Sequence, residues 1–428
     1  MTEHQKILHH LDSDYTEPIR DPIWKHIYLS DALVRLVSTQ KFQELNDIKQ
    51  LGPAYLVYPG ATHTRFAHSL GSFHLASRII RGLLQGDEKT VFTLEGVKAF
   101  LAAALLHDLG HYPYAHALKN LGVRDHEQLT AEIVLEQPVA GILSKEVGIP
   151  AGLVAAIVDT HRDAADFPEA LYFRKLLSGV LDPDKLDYLN RDAYYCGVPY
   201  GIQDVDFFLS GIVFHEKNGF ALAPKGLTAV ENILFSKYLM YRTVYWHKTV
   251  RIATAMIKKA LYLACEEGML SRNELYGLTD ITFLDMVAGK SYPPLTLVAE
   301  VGKRRLCKQA AKAAYDQNNP LHIKLGNLSE CRKKEAEIAR ELQRRTGKPV
   351  AEYDVIIDLP EHINFETDLP IVSPAGDVAF TSSMTIFSKS AVAQLDQSLR
   401  QVSLCVRNDE DIVRAAEKIS LETGWLFT

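Results

Sequence analysis

Apolar residues recur at helical spacing along most of the first 300 positions, and that pattern sets the first expectations. From Asp31, DALVRLVSTQKFQELNDI places Leu33, Leu36, Val37, Phe42, Leu45 and Ile48 at roughly helical intervals. Residues 51–60 carry GP and PG punctuation around AYLVY and read as a short extended passage or loop. Residues 64–84 predict a helix, with Phe66, Leu70, Phe73, Ile80 and Leu84 among its apolar positions. A second, more uniformly apolar helix is predicted over 94–106, and Pro113 limits how far it continues. Asp125 is placed as an N-cap, with Gln128 at the capping-box position, and Pro138 breaks the helix that follows. Residues 152–160 and 170–178 read as helices, and Asp182-Pro183 opens another that runs to Tyr195. IVFHE and FALAP, separated by Lys217-Asn218-Gly219, predict a small hairpin. One long helix is expected from about Leu227 to Cys265.

The character changes near residue 300. KRRLCKQAAKAAYDQ and SECRKKEAEIARELQRR read as charged helices. EYDVIIDLP, DVAFTSSMTIFSK and QVSLCV read as strands, and DEDIVRAAEKI as a closing helix. The expected fold class is mainly α: a helical bundle core with a small β-hairpin and a C-terminal α+β region. The expected division is an N-terminal arm over 1–30, a helical domain over 31–300 and the α+β region over 301–428.

Composition narrows the class. The 428 residues are 47% hydrophobic and 23% charged, ordinary for a globular protein. A net charge of −6 argues against general nucleic-acid binding. Five scattered cysteines form no CxxC pair, so a reducing cytoplasm is expected rather than a disulfide framework. No apolar run approaches the ~20 residues of a membrane span, and no membrane association is expected.

Polar chemistry concentrates in one region: seven of sixteen histidines lie between His63 and His126. In LAAALLHDLGHYPYAH an apolar helix ends in His107-Asp108, and imidazole with carboxylate suits a divalent first-row metal. Two ligands make a weak site, so others are required; His68 and Asp184 are the candidates. His111 shares a face with His107 if the helix persists, whereas Gly110 and Pro113 favour a turn equally. HExxH, the Walker A loop and the GxSxG elbow are all absent. Histidines beside a metal suit phosphate-ester chemistry, where they neutralise oxygens or protonate a leaving group. Further along, Asp184, Tyr188, Arg191 and Asp192 fall on one helical face, either a solvated salt-bridged stripe or part of a site.

The ordered pattern of His68, His107-Asp108 and Asp184 resembles that of the HD-domain metal-dependent phosphohydrolases. IKQLGPAYLVYPGATHTRFAHSLG, LLHDLGHYPYAHAL, DHEQLT, LDPDKLDYLNRD and YRTVYWHKT resemble their deoxynucleoside triphosphate triphosphohydrolase (dGTPase-like) branch. The likeness runs from about Asp21 to Lys259, and no SAM domain is expected ahead of it. The resemblance implies an HD-domain helical bundle in which His68, His107, Asp108 and Asp184 coordinate one divalent metal (Mn, Fe, Zn, Ni or Mg). It implies that His111, His116 and His126 surround the α-phosphate, and that Arg65, Lys185 and Lys237 contact phosphates. Gln50 and Asp192 would read the 3′-hydroxyl, while Tyr188 and Tyr245 pack against the sugar. Three positions depart from the branch. Lys237 stands where Arg is usual and Tyr112 where Gly is common, which would narrow the pocket mouth. Lys119 replaces an acidic residue and would lower the pKa of His116.

The expected activity is hydrolysis of a dNTP to deoxynucleoside and inorganic triphosphate, by a homo-oligomer (dimer or tetramer). The alternatives are an HD phosphohydrolase acting on nucleoside monophosphates or other phosphate esters, and a non-catalytic nucleotide sensor.

Overall fold

A computed structural model describes residues 1–86, 92–179, 182–215, 219–367, 369–372, 376–383 and 385–424. The chain is mainly α. The helix Leu94–Leu106 lies at its centre, with every residue from Ala99 to Leu106 buried. A sequence apolar on all faces has no solvent side to present, so other helices must enclose it. They are Glu3–Ser13, Arg65–Gly86, Ala151–Val158 and Ala170–Leu177. Thr93 caps its start by accepting from the Gly96 amide.

Arg65–Gly86 packs against Pro183–Cys196, the helix that Asp182-Pro183 opens. Asp182 is its N-cap and accepts from the Lys185 amide at 2.6 Å. The two helices meet closely at Gly71, where a Cβ would lie 1.8 Å from Asp187 Oδ1 and 2.5 Å from Arg191 Nη2. Only glycine permits that approach.

Several elements differ from expectation. Residues 1–30 are more than an arm. Thr2 and Gln5 form a capping box on Glu3–Ser13, whose Ile7 and Leu11 enter the main core, and Glu17–Asp21 pairs with Lys25–Leu29. Residues 31–48 break into Asp31–Val37, Gln40–Gln43 and a 3-10 turn, and Gly52–Leu56 is also 3-10. Asp125 precedes His126–Leu135 as expected but its side chain makes no cap hydrogen bond; it lies 3.8 Å from Lys119 Nζ instead. The hairpin forms between Ile212–His215 and Gly219–Leu222; of its turn, 216–218 lie outside the described residues.

The long helix expected over 227–265 is interrupted. Leu227–Met240 loosens into a π turn at Tyr241–Tyr245, and Lys248–Glu266 starts afresh with His247 as N-cap. Such π turns often mark functional positions, and this one aims Tyr245 at Asp192.

The stretch KQAAKAA, expected to be helical, is the strand Lys308–Ala314. It flanks the central strand Gln401–Val406 of a three-stranded antiparallel sheet, with Val355–Asp358 on the other edge. Alanine is the strongest helix former, but propensity is a weak prior that tertiary packing overrides here. Ala310, Ala311 and Ala313 pack with Ile412, Ala416 and Ile419 of the closing helix Glu410–Thr423, and small side chains let that helix approach the sheet. Leu328–Thr346 is helical as expected. Of DVAFTSSMTIFSK only Val378–Ala379 is extended, and residue 384 lies outside the described residues. Among the described residues no single helix is long and apolar enough to cross a membrane.

Candidate active site

The ends of three helices meet at one cavity of about 540 Å³. Arg65 and His68 come from the first turn of Arg65–Gly86, His107 and Asp108 follow Leu94–Leu106, and Asp184 and Lys185 begin Pro183–Cys196. Beyond Asp108 the chain turns rather than continuing as helix. The turn is clamped by Thr130, whose hydroxyl accepts from the Gly110 amide at 2.8 Å and donates to the His107 carbonyl at 2.9 Å. A Cβ on Gly110 would stand 2.3 Å from the His126 carbonyl, so glycine lets this turn press onto the His126 helix. That contact brings His111 and His126 together, their rings stacked at 3.8 Å, with His116 4.8 Å from His111.

Three donors converge, from His68, His107 and Asp184, their ligand atoms all within 4.8 Å of one another; Asp108 groups instead with His111 and His126 and meets the first set through His107. His68 Nε2 lies 2.8 Å from Asp184 Oδ1, and His107 Nε2 lies 3.7 Å from that oxygen and 3.3 Å from Asp108 Oδ1. Two ligands about 2.1 Å from one ion and at right angles would be about 3 Å apart, so this spacing suits a divalent metal. His107 supplies a second sign. Its Nδ1 donates to the Ala104 carbonyl at 2.9 Å, while Nε2 is buried without a hydrogen-bond partner and faces the other donors. His68, His107 and Asp184 could therefore hold such an ion, and Asp108, 3.3 Å from His107 Nε2, is the candidate for a fourth ligand.

Behind His68 is a partner to which the sequence reading gave no role. Asp187 accepts from His68 Nδ1 at 2.8 Å, from Arg191 Nε and Nη2 at 2.7 and 2.9 Å, and from Trp24 Nε1 at 2.6 Å. Arg191 is in turn held by Asp21 at 2.8 Å. The helical stripe is thus salt-bridged but buried: Asp187 and Arg191 are both 0% exposed. Three residues after Asp184 and four before Arg191, Asp187 sits at the spacing that pairs carboxylate with guanidinium on a helix, and that was the signal available. An orienting carboxylate of this kind is commonly worth about 10–100-fold in metal affinity. Asp187→Asn is expected to weaken Mn²⁺ binding by about that factor in a direct titration, and unchanged affinity would contradict the assignment.

Burial alone would push the His68 pKa down, but hydrogen bonds to Asp184 and Asp187 outweigh it and raise it to about 10. Without metal, His68 carries a proton on the nitrogen that would bind the ion. Asp108 and Asp184 are held below the usual carboxylate range despite burial, Asp108 chiefly by His107 and Arg65, Asp184 by His107 and His68, so they stay ionised at neutral pH. The sign follows: binding expels a proton from His68 below about pH 10, and one from His107, whose pKa Asp108 and Asp184 also raise against burial. Apparent metal affinity is expected to rise at least about tenfold per pH unit between pH 6 and 8, with proton release seen by calorimetry in two buffers. Affinity independent of pH would contradict this.

The three-histidine wall is different. Burial, then Arg65 and neighbouring imidazoles, lowers His111 well below its ordinary pKa; burial and His116 do the same to His126. His116 opens an accessible edge to the cavity yet sits among the same groups; its crowded setting, Arg65 and then Lys119 shift it downward. Both His111 nitrogens and Arg65 Nε lack hydrogen-bond partners, while Arg65 Nη1 donates to Asp108 Oδ2 at 2.7 Å.

On the opposite side Asp192 accepts from Tyr245 at 2.6 Å and bonds His63 Nε2 at 2.8 Å; His63, counted in the sequence but given no role, stacks on Tyr195 at 4.6 Å. Gln50 Oε1 is buried and unpaired. Tyr188 lies 6.4 Å from Tyr245, ring to ring. Lys185 donates to Asp182 at 2.6 Å and Lys237 to Glu366 at 2.9 Å. All fourteen residues singled out from the sequence line this cavity. Tyr112 also lines the cavity, 1% exposed and with its ring 5.4 Å from Tyr276.

Residues 65–192 match the family described as HD domain, and residues 204–419 the family described as HD associated region. An uncharacterized protein of Methanocaldococcus jannaschii is 33% identical over 307 residues, which cover 71% of this chain and 61% of that protein. The chain thus spans about three fifths of that relative's length. The deoxynucleoside triphosphate triphosphohydrolase SAMHD1 of Danio rerio is 24% identical, over 94% of this chain and 73% of its own. A hypothetical protein from Aquifex aeolicus of known crystal structure superposes with a TM-score of 0.70 at 26% identity, covering 94% of this chain and 98% of that one.

Proposed function

From the premise that this chain belongs to the HD-domain phosphohydrolases that carry an HD-associated region, we propose that it is a metal-dependent dNTP triphosphohydrolase. The observation that carries the reading is the set of unsatisfied polar atoms gathered in one cavity: His107 Nε2, both His111 nitrogens, Arg65 Nε and Gln50 Oε1. Buried polar atoms are normally paired, and a cluster of unpaired ones in a cavity calls for a bound ion, water or ligand. The zebrafish relative's name supports a dNTP as that ligand.

In this reading His68, His107, Asp108 and Asp184 hold one divalent metal. When bound, it supplies Lewis-acid polarisation of the phosphate and makes an attacking water more acidic. Arg65 and the Lys185–Lys237 wall bind the phosphates. His111, His116 and His126 surround the α-phosphate, and their neutrality in the free site has a use. A polyanion entering among them favours their protonated form, so binding itself charges a proton donor for the departing 5′-oxygen. Asp192, oriented by His63 and Tyr245, would accept from the 3′-hydroxyl alongside Gln50, and Tyr188 and Tyr245 would flank the sugar. Products are the deoxynucleoside and inorganic triphosphate. By the same resemblance the working unit is a dimer or tetramer.

The test is to incubate the protein with each dNTP and Mn²⁺ or Mg²⁺ and to resolve the products. Inorganic triphosphate with deoxynucleoside is expected. Orthophosphate from nucleoside monophosphates, with no triphosphate from any dNTP, would favour the alternative esterase reading. Binding without turnover would favour a sensor.

A further inference from the structure

Lys185 and Lys237 already share a carboxylate. Glu366 Oε2 accepts from Lys237 Nζ at 2.9 Å and lies 3.6 Å from Lys185 Nζ. Lys237 also donates to the Asn364 carbonyl at 2.6 Å, and its ammonium stands 5.5 Å from the centre of the Phe365 ring. The segment that brings Glu366 here is anchored on both sides. Ile363, Phe365 and Leu369 are buried in the main core, and the Ile363 amide donates to Asp396 at 2.9 Å. The backbone therefore delivers the carboxylate to the cavity wall as a fixed feature.

The charges at that wall cancel. Two ammonium groups face two carboxylates, Asp182 and Glu366. Asp182 caps its own helix and is 2% exposed, so it is not free to leave. Glu366, with 28% of its side chain exposed to the cavity, is the partner a ligand can replace.

We propose that the Glu366 carboxylate occupies the place of a substrate phosphate on Lys185 and Lys237, so that a phosphate chain binds by displacing it. The proposal rests on the reading of both lysines as phosphate contacts. It makes Glu366 a specificity-determining residue. A ligand that brings less negative charge to this wall than the carboxylate gains nothing by exchange, whereas a polyphosphate does. Glutamate here sets a threshold of charge that a ligand must exceed.

Inorganic tripolyphosphate, titrated calorimetrically into the Mn²⁺-loaded protein, tests this without relying on turnover. Glu366→Gln keeps an acceptor for Lys237 and removes the charge; Glu366→Ala removes both. Each is expected to bind tripolyphosphate at least about tenfold more tightly than the parent protein. Combining Glu366→Gln with Lys237→Met is expected to abolish the gain. Equal or weaker binding in both single variants would overturn the proposal, as would a gain that survives Lys237→Met. Tighter tripolyphosphate binding in a protein that hydrolyses no dNTP would remove the triphosphohydrolase reading and leave this one. An active triphosphohydrolase with unchanged affinity would do the reverse.

Discussion

His107→Ala is expected to release the metal and to lower turnover by roughly 10³-fold or more, the scale of losing several kcal/mol of charge stabilisation in the transition state. His107 is the best position at which to separate site from scaffold. Its Nδ1 donates to the Ala104 carbonyl at the end of its own helix, and among the described residues Nε2 makes no hydrogen bond, only ion-pair contacts of 3.3 and 3.7 Å to Asp108 and Asp184. Removing the ring costs only looser long-range contacts, 3.7 Å to Asp184 and ring to ring with His68, against the 2.7 and 2.8 Å bonds that Asp108 makes with Arg65 and Asp184 with His68. Far-UV circular dichroism of His107→Ala should match the parent, while metal analysis and turnover fall together. Retained metal and near-normal turnover would mean that these four side chains are not the metal site.

Lys259→Met is expected to cost about 3–5 kcal/mol of stability, the penalty of leaving one partner of a buried ion pair alone. Lys259, on Lys248–Glu266, donates to Glu335 on Leu328–Thr346 at 2.6 Å, with only 4% and 5% of the two side chains exposed. Glu335 Oε1 also accepts from the Ile357 amide at 2.7 Å, so the pair joins the helical body to the C-terminal sheet. Burial raises the Glu335 pKa even with Lys259 present. A raised carboxyl pKa in the fold favours the folded state at low pH and loses that advantage as pH rises. The destabilisation in Lys259→Met should therefore shrink toward acid. Adding Glu335→Gln, which keeps the acceptor for Ile357, should recover most of the loss. Chemical denaturation of the three proteins at two pH values checks this; a shift below about 1 kcal/mol would contradict it.

How far the sequence reached depended on whether a feature is local. The helices Arg65–Gly86, Leu94–Leu106 and Pro183–Cys196 were legible because each carries its own apolar period, and the last its own Asp-Pro start. His107-Asp108 stood out because it ends an apolar helix, while His68 and Asp184 were only candidates until the resemblance joined all four. What failed was set by distant partners. KQAAKAA pairs with a strand some ninety residues on, and nothing within it signals that. No glycine or proline marks the Tyr241–Tyr245 break, which lies where Tyr245 donates to the distant Asp192. Asp187 and His63 are visible in the sequence as charged or polar positions, but their roles require seeing His68 and Asp192 beside them. Glu366 lies in an irregular stretch, and only folding brings it to Lys237.

The account turns on which bond breaks, and hydrolysis of a dNTP in H₂¹⁸O followed by ³¹P NMR reads that directly. Attack of water on the α-phosphorus predicts one ¹⁸O on a terminal phosphorus of inorganic triphosphate and none in the deoxynucleoside. Label in orthophosphate, or a dNMP among the products, would contradict it.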